Sequence, residues 1–364
     1  MTGGSLVTGG AGFVGSALVR RLLERTAGPV TSFDRLTYAG HRINLAALDD
    51  EPRHRLVVGD IGDAAAVADL LRETRPSVVY HLAAESHVDR SIGTPDDFVA
   101  TNIVGTYTLL QVCLEHWRRA GGPFLLVHVS TDEVYGSLGP DGRFTETSSF
   151  DPSSPYAATK AAADHLVRAW HRTYGLPTIT THSANNYGPR QFPEKLIPLV
   201  VHNALGGAPL PVYGDGGNVR DWIFVDDHAD ALIAVAAKGR PGERYNIGAG
   251  CERSNLAIVE TVCALLDELV PGSPHRPHRG LVRFVTDRPG HDRRYATDAS
   301  KIATALGWRP AVAFDAGMRA TVRWYLDNAA WRETMLGGGW SDPAATEAWR
   351  AAARANGNAR GGDG

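Results

Sequence analysis

The N-terminal stretch of the chain places four glycines between an apolar run and an amphipathic segment, in the sequence "LVTGGAGFVGSALVRRLL". Read from Gly10, Gly12 and Gly15, it satisfies the pattern G-x-G-x-x-G, in which a tight turn, the close approach of a pyrophosphate and helix packing each exclude a Cβ atom. A helix that begins after such a turn presents backbone N–H groups and the positive end of its dipole to phosphates. The stretch therefore predicts a strand, a glycine loop and a helix that bind a dinucleotide.

The first half of the chain continues this alternation of apolar runs and amphipathic segments. The apolar runs are "PVTSFD", "RLVVGD", "SVVYHLAA" and "FLLVHVST", and the segments that fit helices include residues 16–25, 64–73 and 96–119. Strands buried on both faces read as continuous apolar runs, and helices between them imply parallel pairing with right-handed crossovers. We expect an α/β fold with a doubly wound, Rossmann-like parallel sheet and a smaller C-terminal substrate-binding lobe.

Two acidic residues at predicted strand ends indicate which dinucleotide is bound. The second apolar run ends in Asp34, about 20 residues after the last glycine, where an acid binds the adenosine ribose hydroxyls. Such an acid repels a 2′-phosphate and favours NAD over NADP, although Arg35 next to it argues the other way. Asp60 and Ile61 follow the third run, where an adenine edge would be read, but an ordinary turn explains them equally well.

Charge and composition exclude several other classes of protein. The 364 residues include 37 Lys and Arg against 40 Asp and Glu, for a net charge of −3, and no basic stripe suggests a nucleic-acid partner. No apolar run reaches the ~20 residues that span a bilayer, and no leader peptide precedes the glycine loop, so we expect a cytoplasmic protein. The 3 cysteines and 14 histidines form no recognisable ligand cluster, and we predict no metal site.

After Tyr187 the regular alternation gives way to long segments rich in Pro and Gly. Loops of that length are often functional. We assign residues 1–187 to an NAD-binding domain that also carries the catalytic residues. Residues 188–339 are assigned mainly to a substrate-binding lobe that is interleaved with the first domain, and residues 340–364 to a disordered tail.

The sequence "SSPYAATKAAADHLVRAW" combines helix-start signals with a possible acid–base pair. Ser153 and Ser154 are candidate caps and Pro155 suits the first helical turn. Tyr156 and Lys160 are then one turn apart on the same face. A phenol titrates near ~10, so its use as a base near neutrality requires roughly 4 kcal/mol of stabilisation of the phenolate, which a lysine ammonium and a nicotinamide cation would supply.

The sequence "VSTDEVYG" sets Asp132 and Glu133 directly after Thr131 at the end of an apolar run. A solvated loop is the simplest explanation of an isolated acidic pair. In a dry pocket, however, adjacent carboxyls disfavour double ionisation, so that one carries a proton while the other remains a carboxylate. Such a pair is suited to proton transfer in both directions.

Ten segments of the chain together resemble one enzyme family, the dTDP-glucose 4,6-dehydratases of the extended short-chain dehydrogenase/reductase superfamily. They run in order from Thr8 to about Leu326: "TGGAGFVGS", "FDRLTYAG", "HLAAESHVDRSI", "TNIVGTY", "STDEVYG", "SPYAATKAAADHLVRAW", "NNYGPRQFPEKLIPLV", "VRDW", "YNIG" and "DRPGHDRRYATD". The glycines with Tyr156 and Lys160 indicate the superfamily. Asp132 and Glu133 indicate the dehydratases, because the similar sugar-nucleotide 4-epimerases generally lack that pair.

The resemblance implies a mechanism for these residues. Tyr156 removes the proton of the sugar 4-hydroxyl, which Thr131 orients, and NAD accepts hydride from C4. The resulting ketone acidifies the C5 proton, so that Glu133 as base and Asp132 as acid eliminate water across C5 and C6. Hydride then returns to C6 and C5 is reprotonated, which gives a 4-keto-6-deoxy sugar.

The resemblance also implies two sets of contact residues. Cofactor contacts are implied at Gly9, Gly12, Phe13, Val14, Gly15, Asp34, Arg35, Leu36, Thr37, Asp60, Ile61, Leu82, Ala83, Ala84, Ser86, Thr101, Tyr156, Lys160 and Asn186. Substrate contacts are implied at Ser86, Thr131, Asn185, Lys195, Leu196, Pro211, Val212, Tyr213, Arg220, Asn255, Asp287, Arg288 and His291. The planar fork of Arg220 suits diphosphate oxygens, although a surface salt bridge with Asp221 is the alternative.

The chain departs from the family pattern beside the predicted sugar site. His182 and Ala184 stand where a cysteine and a serine are common, which leaves open another hexose or base. The alternatives are a 4,6-dehydratase of a UDP- or other nucleotide-hexose, a 4-epimerase, and a nonenzymatic NAD-binding regulator. The family usually dimerises through a four-helix bundle, which would here use residues 96–119 and 156–174.

Overall fold

The structure, a computed structural model, describes residues 3–337, so the tail predicted at residues 340–364 lies outside the described part. Its strands are β1 Ser5–Thr8, β2 Val30–Asp34, β3 His54–Val58, β4 Val78–His81, β5 Leu125–Thr131, β6 Thr178–Ser183, β7 Asn185–Tyr187, β8 Leu210–Tyr213, β9 Val219–Phe224, β10 Arg244–Ile247, β11 Glu252–Ser254 and β12 Val282–Val285.

Most of the helices connect these strands. The α-helices are α1 Phe13–Arg25, α2 Ala64–Thr74, α3 Val88–Gly93, α4 Pro95–Phe98, α5 Thr106–Ala120, α6 Pro155–Tyr174, α7 Leu196–Leu205, α8 Val225–Lys238, α9 Asn255–Leu269, α10 Ser300–Leu306, α11 Phe314–Asp327 and α12 Ala329–Gly337. Short 3-10 helices cover Arg42–Asn44, Ala46–Leu48, Asp132–Tyr135 and His278–Leu281, and a π-helix covers Val99–Gly105. Within residues 3–337, no helix is both long and apolar enough to cross a bilayer.

The large sheet has seven parallel strands in the order β10-β6-β5-β4-β1-β2-β3. Helices α1 and α8 pack together, as do α2, α5 and α6. Strands β1, β2 and β4 are buried throughout, which explains why they were recognisable as mainly apolar runs. Strand β6 is also buried throughout, although its sequence TITTHS is mostly polar. The predicted α/β fold with a doubly wound parallel sheet is confirmed.

The second half of the chain forms two small sheets around a core of its own. Strands β11, β9 and β7 form one sheet, and β12 pairs with β8 in the other. The core of this lobe includes Tyr187, Val200, Val259 and Met318. Strand β10 instead pairs in parallel with β6 of the large sheet, so the chain after β7 belongs in part to each layer.

The helix predicted over residues 96–119 is interrupted by the π-helix at Val99–Gly105. Asn102 lies within this segment and is 1% exposed. Its Oδ1 accepts from Glu85 N at 2.8 Å, and its Nδ2 donates to Glu85 O and to Thr159 Oγ1, both at 3.0 Å. The segment therefore ties the loop after β4 to α6, and both of these elements border the site described next.

Candidate active site

The glycine loop after β1 is formed by Gly9, Gly12 and Gly15. Gly9 has a φ of 71°, and a Cβ there would lie 2.7 Å from Ala83 N, so the turn requires glycine at this position. The amide of Gly12 donates to Gly9 O at 3.1 Å. Gly10 has ordinary backbone, and a Cβ there would instead meet the Ser32 side chain. The glycine that forms the turn is therefore Gly9, one residue before Gly10, the first glycine of the predicted G-x-G-x-x-G pattern.

Asp34, at the end of β2, lies beside this loop and hydrogen-bonds to its backbone. Its carboxylate accepts from Ala11 N at 2.9 Å and from Leu36 N at 2.8 Å. Burial raises the pKa of Asp34, and these backbone hydrogen bonds oppose the rise. The Arg35 side chain forms an ion pair with Asp60, with 3.1 Å between Nη1 and Oδ2. Its positive charge is therefore paired with a neighbouring carboxylate.

A cleft of about 330 Å³ runs from the glycine loop to α6. Predicted cofactor contacts that line it are Gly9, Gly12, Phe13, Val14, Gly15, Asp34, Arg35, Thr37, Asp60, Ile61, Leu82, Ala83, Ala84, Ser86, Thr101, Tyr156, Lys160 and Asn186. Leu36 is not among the lining residues, because its side chain packs against the hydrophobic core. The predicted set is otherwise brought together along this one cleft.

Helix α6 presents the predicted acid–base pair at the inner end of the cleft. Ser154 caps the helix, its Oγ accepting from Ala157 N at 3.1 Å, and Pro155 occupies the first turn. Lys160 Nζ donates to Val129 O at 2.9 Å. Burial lowers the pKa of Lys160 to about 8. For Tyr156, burial raises the pKa above its ordinary value and the Thr131 hydroxyl lowers it, so the protein alone leaves the phenol a weak acid.

The acidic pair lies where β5 ends and a 3-10 helix begins. Thr131 caps that helix, with its Oγ1 accepting from Glu133 N at 3.2 Å. The Asp132 side chain is 1% exposed and is surrounded by hydroxyls, with Oδ1 3.5 Å from Thr131 Oγ1 and Oδ2 accepting from Thr297 Oγ1 at 3.3 Å. The solvated-loop explanation is therefore wrong, because Asp132 is enclosed.

Neighbouring charges differentiate the two carboxyls. Burial and then the Glu133 carboxylate raise the pKa of Asp132 well above its ordinary value. Burial also raises the pKa of Glu133, but Arg288 and Arg220 oppose that rise. A proton held by the pair therefore belongs to Asp132, and Glu133 carries the negative charge.

A second cavity of about 1140 Å³ adjoins the cofactor cleft. Predicted substrate contacts that line it are Ser86, Asn185, Lys195, Leu196, Pro211, Val212, Tyr213, Arg220, Asn255, Arg288 and His291. Thr131 lines the cofactor cleft instead. Asp287 lies outside the lining, because its carboxylate accepts from His291 Nδ1 at 2.6 Å and from Arg288 N at 2.9 Å. Glu133 lines both cavities and so marks where they meet.

Two arginines, the buried Arg220 and the half-buried Arg288, supply positive charge to the larger cavity. Arg220 stacks over the Tyr295 ring at 4.1 Å and donates to Asp292 O at 2.9 Å. Asp221 accepts from the Gly250 and Cys251 amides, so the proposed surface salt bridge with Arg220 is wrong. Arg288 pairs with Asp89 at 3.0 Å.

Three site residues were not found by sequence reasoning. Glu194 lines both cavities, and its side chain is 4% exposed; its position beside Lys195 was the available signal. Tyr295 lines the larger cavity and donates to Asp292 Oδ2 at 2.6 Å. Thr297 reaches Asp132 from a segment far along the chain, and its local sequence gives no sign of that contact.

The two departures from the family pattern do not line the larger cavity. His182 is fully buried, and its Nε2 lies 2.9 Å from Asp164 Oδ2. Ala184 lines the cofactor cleft and is 2% exposed. Neither side chain therefore contacts the larger cavity directly, and His182 lies in the protein interior.

Comparison with known proteins finds extensive similarity. A sequence model of the GDP-mannose 4,6 dehydratase family matches residues 6–321. The dTDP-glucose 4,6-dehydratase of Neisseria meningitidis serogroup B is 54% identical over 340 residues, which cover 92% of this chain and 96% of that protein. The dTDP-glucose 4,6-dehydratase 1 of Escherichia coli K12 is 52% identical over 346 residues, covering 92% and 95% of the two chains.

Solved structures agree with the sequence comparison. The dTDP-glucose 4,6-dehydratase DesIV of Streptomyces venezuelae, crystallised with NAD and TYD, is 50% identical, covers 91% of this chain and 99% of its own, and superposes with a TM-score of 0.84. The UDP-glucose 4-epimerase of Thermus thermophilus, in complex with NAD, is 32% identical, with a TM-score of 0.78 and coverage of 89% and 99%.

Proposed function

Because this chain belongs to the dTDP-glucose 4,6-dehydratase family, we propose that it converts dTDP-glucose to dTDP-4-keto-6-deoxyglucose with the residues assembled between its two cavities. The observation that carries this proposal is the enclosed Asp132 with the half-buried Glu133 beside it, at the junction of the cofactor cleft and the larger cavity. A 4-epimerase has no elimination step that would use such a pair.

The cofactor is NAD, as in the close structural relatives. The glycine loop fits its pyrophosphate because a Cβ at Gly9 would collide with the backbone at Ala83. Asp34 would bind the adenosine ribose, and its carboxylate would repel the extra phosphate of NADP. When bound, NAD accepts a hydride from the sugar and returns it later in the same turnover.

In the first step, Tyr156 takes the proton of the sugar 4-hydroxyl, and Thr131 orients that hydroxyl. Thr131 already lowers the pKa of Tyr156 against the effect of burial. Further positive charge is needed to make the phenol a base near neutral pH. Lys160, one turn along α6, and the bound nicotinamide supply it.

In the second step, Glu133 removes the C5 proton and Asp132 protonates the departing 6-hydroxyl. The assignment follows from their surroundings. Arg288 and Arg220 favour the charged form of Glu133, whereas burial and the charge of Glu133 keep the proton on Asp132. These surroundings favour the proton on Asp132 and the negative charge on Glu133, as the two roles require.

Arg220 and Arg288 would bind the diphosphate of the substrate. Arg220 is buried and Arg288 is half-buried beside the larger cavity, where a guanidinium binds phosphate oxygens strongly because little water competes. A UDP-hexose is the alternative substrate, and its base differs from that of dTDP only at the edge of the ring. Turnover of dTDP-glucose compared with UDP-glucose distinguishes the two.

The direct test is incubation of the protein with dTDP-glucose, followed by mass detection of a product that has lost one water. Asp132→Asn and Glu133→Gln are expected to slow product formation by about 100-fold or more, while oxidation at C4 continues and reduced cofactor accumulates. Asp141→Asn, the same substitution at an exposed loop position, serves as the control with unchanged turnover. Full product formation by either active-site variant would refute the assignment.

The protein is proposed to act as a cytoplasmic homodimer. Support comes from apolar side chains exposed on the helices predicted to form a four-helix bundle: Val99 (44%), Val104 (53%), Tyr107 (44%) and Tyr174 (42%). Burial of such a patch against a second copy would remove it from water.

A further inference from the structure

A buried carboxylate behind the cofactor cleft has no part in the steps above. Asp164 follows Lys160 by one turn of α6 and is 4% exposed. Its Oδ2 accepts from Ser130 Oγ at 3.0 Å and from His182 Nε2 at 2.9 Å. Its Oδ1 lies 3.1 Å from His128 Nε2. Polar groups from β5 and β6 thus converge on one carboxyl group.

These contacts keep Asp164 charged. Burial raises the pKa of a carboxyl, but at Asp164 the two histidines outweigh burial and hold the pKa below its ordinary value. His128 is itself neutral near pH 7, because burial and Lys160 lower its pKa to about 4. His182 is oriented by the Tyr135 hydroxyl, 3.0 Å from its Nδ1. A carboxylate in this position is stabilised by hydrogen bonds inside the protein rather than by water.

Lys160 is the buried cation one turn before this carboxylate on α6. Its ammonium is buried and donates to Val129 O, next to the Ser130 that bonds to Asp164. Burial lowers the pKa of Lys160, and Asp164 opposes that change. The titratable neighbours from the adjoining strands are His81 on β4 and His128 on β5, and burial lowers the pKa of both. They therefore add no charge near pH 7.

We propose that Asp164 is a positioning residue for the first step: its carboxylate is the buried counter-charge that keeps Lys160 protonated beside Tyr156. The proposal rests on the proposed function, since the charge of Lys160 matters only where Tyr156 acts as a base. Loss of the ammonium would remove a positive charge from the neighbourhood of the phenol, and C4 oxidation would slow.

His182 provides a matched comparison. A cysteine is common at this position in the family that the sequence resembles, and a thiol is a weak donor. In His182→Cys, the Asp164 carboxylate remains and still accepts from Ser130 Oγ. The variant therefore disturbs the same buried network without removing the charge that the proposal requires.

The test measures C4 oxidation against pH in holoenzyme with dTDP-glucose. A Glu133→Gln background stops the reaction after oxidation, so that reduced cofactor reports this step alone. Asp164→Asn is expected to move the alkaline limb of the rate profile to lower pH by about one unit or more, because an opposite charge nearby shifts a pKa by 1–3 units. His182→Cys is expected to leave that limb in place. If Asp164→Asn fails to bind NAD, Asp164→Ser replaces it and should show the same shift.

A uniform loss of rate with an unmoved limb in the Asp164 variants would overturn the proposal, because it would indicate a structural role only. An equal shift in His182→Cys would overturn it as well. The same profiles are recorded for overall turnover with Glu133 intact. A failure of the roles given to Asp132 and Glu133 would therefore appear as product formation by their own variants, separately from any shift caused by Asp164.

Discussion

The carboxyl group of Glu194 lies in the wall shared by the two cavities. Its Oε1 is buried and has no hydrogen-bond partner among the described residues, and Lys195 Nζ lies 3.9 Å away. Burial raises the pKa of Glu194 to about 7, against the opposing charges of Lys195 and Arg90. The folded protein thus retains a proton here that an unfolded chain releases near ~4.3.

This difference gives Glu194 a measurable effect on stability. Between about pH 4.5 and pH 7 the folded state binds more protons than the unfolded state at this group, so its contribution makes the fold less stable as pH rises. Glu194→Gln is expected to be more stable than the unchanged protein at pH 8, by about 2–3 kcal/mol. The difference should shrink to about 1 kcal/mol at pH 5. Denaturant unfolding at both pH values measures it, and an equal difference at both would contradict the prediction.

Gly9 allows a second test at the level of one residue. Gly9→Ala adds a Cβ 2.7 Å from Ala83 N at a φ of 71°, so either the turn or the end of β4 must move. The expected cost is about 1–3 kcal/mol in the free energy of unfolding, together with weaker NAD binding. Calorimetric titration with NAD checks the second effect. Gly122→Ala, where a Cβ has open space, should leave NAD affinity unchanged.

The interrupted helix before α5 has a structural consequence at the level of elements. Asn102 uses both ends of its amide to hold the Glu85 backbone and Thr159. Asn102→Ala leaves the half-buried Glu85 N–H and C=O without this partner, whereas Thr159 Oγ1 still donates to Tyr156 O, and the variant is expected to cost about 1–3 kcal/mol in the free energy of unfolding. Asn102→Asp retains the acceptor for Glu85 N, but its second oxygen would face the Glu85 carbonyl, and an ionised carboxyl at this buried position is costly. It should therefore lose at least as much stability at pH 7 as Asn102→Ala, and denaturant unfolding of both variants tests that order.

Local elements of the site were predictable because their signals are local. The glycine turn, the Ser154 cap and the placement of Tyr156 one turn before Lys160 each follow from a few neighbouring residues. The π-helix and the contact of Thr297 with Asp132 were not predictable in this way. Both arise where distant segments pack together, and neither leaves a periodic or compositional pattern in the sequence.

At the scale of the whole molecule, the exposed apolar side chains on the π-helix, α5 and α6 predict the oligomeric state. Val104→Glu places a charge on the proposed interface, where burial without a partner is costly. The variant is expected to sediment as a monomer while the unchanged protein sediments as a dimer. Val58→Glu is the control, because Val58 is 51% exposed on β3, at the opposite side of the large sheet. Equal sedimentation of both variants and the unchanged protein would contradict the proposed interface.

The overall α/β architecture followed from the alternation of buried strands and crossover helices, which is a property of the sequence read in order. The path of the second half of the chain did not follow from this alternation. Strand β10 lies in the lobe's part of the chain, yet it pairs with β6. Its four residues carry no sign of which sheet edge they join, because that choice is made by packing against α8 and α10.

The place of β10 limits how substrate preference can be transferred between relatives. Its register runs from Arg244 beside Thr180 to Ile247 beside Ser183. A chimera joined after β7 would replace β10 with a foreign strand beside β6 and would lose the buried Asn246, whose Oδ1 accepts from the Tyr135 hydroxyl at 2.9 Å. Grafts of individual cavity loops leave the native pairing of β10 with β6 intact. Substrate preference should therefore be transferred loop by loop rather than by exchange of the C-terminal half of the chain.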